Sequence, residues 1–260
     1  MNSSNDREPG RPTESPARPW GEPPVAPQQP GRPRSRNRGP LFSILLAVVL
    51  FALYGVQAYQ DLSSPSAWAY WKDLYFSPSM TSSLVRADGR NALAIEGKIG
   101  AAAASWFREK LDGARLTAGD TVFLSSPGGR LDQAFIMGEI IRSRGLTTVV
   151  GKVDAQGRAQ PSYCASACVI VYAGGKIREA MPRSVYGVHQ FSTEVPKGGD
   201  LDRDLVADTQ KTTGIILDYM TRMGVSPSIM QAMTASKDIR WLTEKETFDL
   251  KLVTARYAGS

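Results

Sequence analysis

A chain of 260 residues has room for one or two domains, and its 42% hydrophobic content is ordinary for a globular protein. The formal charge of +6 makes no case for nucleic acid, because residues 1–40 carry seven Arg against four acids, half of that excess, and the remainder is nearly balanced. Two cysteines are too few for a disulfide framework, and with a single histidine they fall short of the usual zinc spacings, so no metal site and no cofactor are expected.

Ten of the 17 prolines lie in residues 1–40, among Gly, Ser, Gln and Arg and with almost no aliphatics. Such a segment buries too little apolar surface to offset chain entropy, and it reads as a disordered tail. Arg32, Arg34, Arg36 and Arg38 close this tail and abut residues 41–59, LFSILLAVVLFALYGVQAY, which carry no charge. About 19 residues at ~1.5 Å each just span a hydrocarbon core of roughly 30 Å. The run is apolar on every face, so it reads as a transmembrane anchor rather than a core helix. Arginines before it and few basic residues just after it orient the N-terminus to the cytoplasm and the rest of the chain outside. A cleaved signal peptide is the competing reading, since Val56-Gln57-Ala58 resembles a small-residue cleavage site, but a leader of 40 residues ahead of it is unusually long.

Residues 60–81 read as a juxtamembrane linker whose Trp68, Tyr70, Trp71, Tyr75 and Phe76 suit either the membrane interface or packing on the domain that follows. That domain, 82–260, alternates strand and helix. Strands are expected at 84–87 and 93–99 around a turn at Asp88-Gly89-Arg90-Asn91, then an Ala-rich helix over 101–111 and a buried strand over 121–125 stopped by Pro127-Gly128-Gly129. Leu131, Ala134, Phe135, Gly138 and Ile141 share one face of the next helix, and a strand covers 146–150. This rhythm indicates a mostly parallel sheet. A long amphipathic helix follows at 201–223, Ser226-Pro227 opens another, and Thr243-Glu244-Lys245-Glu246 has the capping-box pattern of a last one. No internal repeat, phosphate loop or dinucleotide fingerprint is present.

The stretch PSYCASACVIVYAGG, from Pro161, sets Ser166 between the only two cysteines, ahead of an apolar run ending in Gly174-Gly175. A serine hydroxyl is a poor nucleophile without a base and a group that stabilises the developing oxyanion. His189 is the sole histidine and hence the base on offer, although a lone histidine beside Val188 also has a purely structural reading. Ser125-Ser126-Pro127-Gly128-Gly129 offers unobstructed backbone amides where a strand hands over to a helix, yet by itself it is a common turn. Cys164 and Cys168 are a candidate disulfide. Their separation of four suits the Cα distance, but the side-chain directions are poor unless Cys164 precedes the helix proper; left free, either is a rival nucleophile.

In their order and spacing, Leu124-Ser-Ser-Pro-Gly-Gly129, Cys164-Ala-Ser-Ala-Cys168 with Ala173-Gly-Gly175, and Val188-His-Gln190 resemble the proteolytic subunit of the Clp protease and its relatives in the ClpP/crotonase superfamily. The resemblance covers about residues 82–256. It implies an α/β fold with repeated ββα units, Ser166 as nucleophile, His189 as base, and the amides of Gly129 and Ala167 as an oxyanion hole. The family's aspartate precedes a segment that here looks like Arg240-Trp241-Leu242-Thr243. Strict alignment from that segment lands near Ala235, whereas the nearest carboxylate is Asp238. The third position is therefore open between Asp238, a Ser–His dyad and an inactive site. The flanking cysteines also depart from the family, which has small residues or Met there.

Taken with the anchor, the resemblance implies an ATP-independent serine peptidase in the inner membrane, single-pass, acting outside the cytoplasm on peptides or membrane-protein fragments. ATP independence follows because the unfoldases of Clp proteases are cytoplasmic. A homo-oligomer built through the long helix would be in keeping with the family. Two alternatives stand beside this reading: a non-catalytic scaffold for assembly or partner binding, and acyl-CoA chemistry on the crotonase scaffold, whose sites use carboxylates and do not require that serine.

Overall fold

The computed structural model describes residues 39–76, 78–87, 90–191 and 201–259. The tail expected over 1–40 lies outside them up to residue 38, as do the arginines that close it and Asp88 and Gly89 of the expected turn. Helix α1 (Gly39–Ser63) has 25 residues, and within it Phe42–Ser63 is long and apolar enough to cross a membrane. Every side chain from Phe42 to Gln57 is exposed, as expected of a helix apolar on all faces. The helix ends at Ser64, whose extended backbone precedes a proline and whose side chain accepts a hydrogen bond from the Ala67 amide at 3.2 Å.

Between α1 and the first strand, two side chains bond to the start of a later helix. Helix α2 (Pro65–Trp71) runs into a π-helical turn, Lys72–Phe76. There the Asp73 carboxylate accepts from the amides of Ser79 at 3.0 Å and Ala102 at 2.8 Å. Ala102 is the N-cap of α3 (Ala103–Ala114), whose first turn contains no acid of its own, so Asp73 supplies the negative charge favoured at that helix end. Tyr70 also donates to Ser105 Oγ at 3.0 Å. Trp68, Tyr75 and Phe76 stay exposed.

Eight residues of β1 (Met80–Ala87) pair antiparallel with β2 (Arg90–Gly97). From β2 the sheet continues parallel through β3 (Thr121–Ser125), β4 (Thr147–Val150), β8 (Ile177–Ala180) and β11 (Ala255–Arg256), in the order β1-β2-β3-β4-β8-β11. Helices α3 and α4 (Leu131–Ser143) follow β2 and β3. The alternation of side chains along a strand divides the core. Leu93 and Ile95 of β2 and Val122 and Leu124 of β3 join Phe107, Met137, Ile141 and Ile170 in the main cluster, while Ala92, Ala94, Phe123 and Val149 form a smaller one on the other face. A second sheet has the order β10-β9-β7, from β7 (Tyr163–Ala165), β9 (Val185–Val188) and β10 (Arg240–Leu242), and β5 (Lys152–Val153) with β6 (Ala159–Gln160) makes a short hairpin. The remaining helices are α5 (Ala167–Ala173), α6 (Leu201–Arg222), α7 (Ile229–Thr234) and α8 (Glu244–Asp249). The fold is therefore mixed α/β. A strict ββα repeat does not run through it: two strands precede α3 and again α6, but β3 alone precedes α4.

Arg178 on β8 is 3% exposed and donates to the carbonyls of Lys251 and Leu252 at 2.8 Å, of Met223 at 2.9 Å and of Gly175 at 3.3 Å. Burial holds its guanidinium below the ordinary value, and the nearby Arg142 adds to that. Its counter-charge consists of backbone carbonyls gathered where α5, α6 and α8 end. Arg178→Met keeps the volume but strands these acceptors, so we expect a loss of about 3 kcal/mol or more, from several charge-assisted bonds at once. Urea unfolding measures it, and a midpoint equal to wild type would show that the carbonyls find other donors.

Candidate active site

Ser166 sits at the tip between β7 and α5 with φ 56° and ψ −128°. A non-glycine residue held there costs about 1–3 kcal/mol and persists only where its surroundings over-determine it. A serine on a tight strand-to-helix turn has its hydroxyl pushed out of the backbone's shadow, the arrangement of a nucleophile elbow. The surroundings are on both sides. The Ser166 amide donates to Gly187 O on β9 at 2.8 Å, and the Ala165 amide donates to Ser126 O at 3.0 Å.

The same β7–β9 pairing, in parallel register from Tyr163↔Val185 to Ala165↔Gly187, carries the chain to His189 just beyond β9. His189 Nε2 lies 2.8 Å from Ser166 Oγ. With the ring proton on Nδ1, the hydroxyl donates to Nε2, which is the alignment a general base requires. The next residue is anchored as well: the Gln190 amide donates to Ser236 O at 2.8 Å and its side-chain amide to Thr234 O at 2.7 Å.

The glycine turn after β3 packs directly on the elbow. Gly128 and Gly129 have φ of 94° and 143°, and a Cβ at Gly128 would come within 2.7 Å of Ser166 Cβ and 2.9 Å of the Ala167 nitrogen. Ser126 shapes the turn, since its hydroxyl accepts from the Gly128 amide at 3.0 Å. Ile99 braces it, with its amide donating to Gly128 O at 2.8 Å and its carbonyl accepting from Arg130 at 2.9 Å. Gly129 lies between those two bonds and, among the described residues, its own amide enters no backbone bond. Ala167 opens α5, where an amide has no partner within the helix. Among the described residues, Gly129 and Ala167 thus line one cleft with Ser166 and their amides enter no backbone bond.

A cleft of about 540 Å³ opens over this group. Leu131, Ile170, Phe191, Ile216 and Met233 give it apolar walls, and Lys98, Arg130 and Asp132 are its charged lining. Arg130 grips Asp132 through two bonds of 3.0 Å. Partial burial pushes the Asp132 carboxyl up, but hydrogen bonds from Arg130 and Gln133 outweigh it and hold the group below the usual range. Asp132 is therefore engaged by Arg130 and leaves His189 alone.

Ser166, His189, Gly129 and Ala167 are thus brought together. Asp238 is not joined to them: it is exposed, its amide donates to Ser236 Oγ at 3.1 Å, and no hydrogen bond links its carboxylate to His189. Among the described residues no carboxylate bonds His189. Cys164 and Cys168 are bridged, with Cα atoms 5.3 Å apart. Cys164 lies in β7 rather than on the helix, which removes the objection to side-chain direction, and bridged sulfurs do not act as thiolates. The roles of the Ser126 hydroxyl and of the Ile99 backbone in bracing the turn are not marked in the sequence, because both rest on bonds formed only once the chain has folded.

No family model matches the chain, and no curated protein matches it. Among solved structures it is similar to ClpP1 from Listeria monocytogenes, at 18% identity and a TM-score of 0.46, and to a point mutant of ClpP1 from the same organism, at 17% identity and 0.49. Each comparison covers 64% of this chain and 90% of the other.

Proposed function

We propose that the chain is a membrane-anchored serine peptidase of the Clp-like class, hydrolysing peptides or membrane-protein fragments outside the cytoplasm without ATP. The observation that carries this reading is the 2.8 Å contact between Ser166 Oγ and His189 Nε2 on a strained turn. His189 takes the hydroxyl proton as Ser166 attacks a peptide carbonyl. The amides of Gly129 and Ala167 receive the oxyanion, and His189 then protonates the leaving amine. Water repeats the sequence on the acyl-enzyme. On this reading the site works as a dyad, and the apolar walls of the cleft receive uncharged side chains of the substrate. A second reading, a non-catalytic scaffold, draws on the absence, among the described residues, of a carboxylate bonded to His189. A fluorophosphonate probe separates the two: the peptidase reading expects labelling of wild type and none of Ser166→Ala, and an unlabelled wild type favours the scaffold.

The same reading puts α1 across the inner membrane as a single pass, with the arginine-rich tail in the cytoplasm, the domain outside and copies of the chain assembled as a homo-oligomer. A reporter enzyme active only outside the cytoplasm, fused after Ser260, is expected to be active. A stable but silent fusion would overturn the orientation, and a mature N-terminus at Tyr59 would establish cleavage instead.

A further inference from the structure

We infer that the Cys164–Cys168 bridge is a positioning clamp for Ser166, and that the hydrolase turns over at full rate only in its oxidised form. The inference rests on the peptidase reading above. The bridge begins in β7, ends in the first turn of α5 and encloses Ala165, Ser166 and Ala167, the elbow itself. Both cysteines are buried, at 0% and 1% exposure, so the bond lies beneath the turn and does not staple the surface. Cys164 is also fixed from both sides, bridged to Ser126 and in register with Tyr186.

Size decides between a global and a local role. Closing a loop this short removes little freedom from the unfolded chain, since disulfide stabilisation grows with the number of residues enclosed. The bond's effect is therefore concentrated on the three residues inside it. Ser166, at φ 56°, is the one residue there in a conformation that L side chains avoid. Without the bridge the elbow has a route to negative φ, which swings Oγ from His189 and turns the Ala167 amide away from the oxyanion. The reduced chain then keeps its fold and loses its geometry. Oxidation joins the two sulfurs and passes two electrons and two protons to a disulfide-bearing exchange partner, itself reduced to two thiols. A chain made in a reducing compartment is accordingly slow until it meets an oxidising one.

The test compares oxidised wild type, reduced wild type and the double variant Cys164→Ala with Cys168→Ala, each for far-ultraviolet circular dichroism, peptide turnover and fluorophosphonate labelling of Ser166. The clamp expects unchanged dichroism, kcat lower by about tenfold or more with KM within about twofold, and a matching drop in labelling rate, as befits loss of a strained reactive conformer. Oxidised glutathione should restore reduced wild type but not the variant. Equal labelling of oxidised and reduced protein overturns the clamp and leaves the peptidase reading intact. If the variant does not fold, the reduced wild type decides: folded and slow supports the clamp, and unfolded makes the bridge a general staple and overturns it. No labelling of oxidised wild type defeats the peptidase reading, and the clamp falls with it.

Discussion

Ser166→Ala and His189→Ala are each expected to lower kcat/KM on a fluorogenic peptide by about a thousandfold or more, and the double variant to be no worse than either single one. The non-additivity follows from the geometry. The two side chains meet in one 2.8 Å hydrogen bond, so removing either end removes the activated nucleophile. Residual activity in both cases would come from the amides and the cleft, which neither substitution touches. Ser166→Ala also keeps the strained backbone and the bridge, so its stability should match wild type, and a fall in Tm would implicate the hydroxyl in folding instead. Asp238→Ala supplies the contrast. The residue is exposed and makes no bond to His189, so its rate should stay within about twofold of wild type, as for a solvated surface charge. A loss of several hundredfold would instead identify Asp238 as the third member, through a loop movement that tightens with substrate.

Much of the framework is legible before folding wherever a local rule has no competitor. The strand expected at 121–125 occupies Thr121–Ser125, because an apolar run between Asp120 and Pro127 leaves little other choice. The helix expected over 201–223 is Leu201–Arg222, and Thr243 and Glu246 make both bonds of the capping box. The helix expected from 101 begins at Ala103, with Ala101 and Ala102 taken up in the turn that Asp73 caps. That contact joins residues 29 apart, so nothing near Asp73 in the sequence announces it. The second sheet was equally opaque. Strands of three and four residues, with Tyr163, Val185 and Trp241 partly exposed, are too short to show a period of two.

For the site, residue types and order were readable, but conformation was not. A serine carries no mark of positive φ. Only its small neighbours Ala165 and Ala167 hint that the backbone is crowded at this point. Likewise the cysteine spacing permits a bridge without deciding it; what decides it is that Cys164 lies inside a strand, ahead of the helix that holds Cys168. Asp238 shows the converse. A carboxylate of the right type near the right segment invites a role, and its side chain is exposed with no hydrogen bond to His189.

The glycine turn carries the second large expectation. Gly128→Ala would place a methyl 2.6 Å from Ala165 O, 2.7 Å from Ser166 Cβ and 2.9 Å from the Ala167 nitrogen, all parts of the elbow rather than the ends of flexible side chains. Gly129→Ala would meet Ile99 O at 2.2 Å, on the other side of the same turn. Both glycines have φ values that strain any L residue, so each substitution should cost about 1–3 kcal/mol in the backbone alone. Their kinetic effect should be larger, because either one turns the Gly129 amide from the oxyanion. Loss of one such donor lowers kcat by about a hundred- to a thousandfold with little change in KM. Gly113→Ala is the internal control: in α3, with nothing within 4 Å of the new Cβ, it should raise stability by up to about 1 kcal/mol and leave turnover untouched. If Gly128→Ala and Gly129→Ala fold and retain wild-type kcat, the oxyanion is held elsewhere, and the assignment of the Gly129 amide fails even if Ser166 and His189 prove essential.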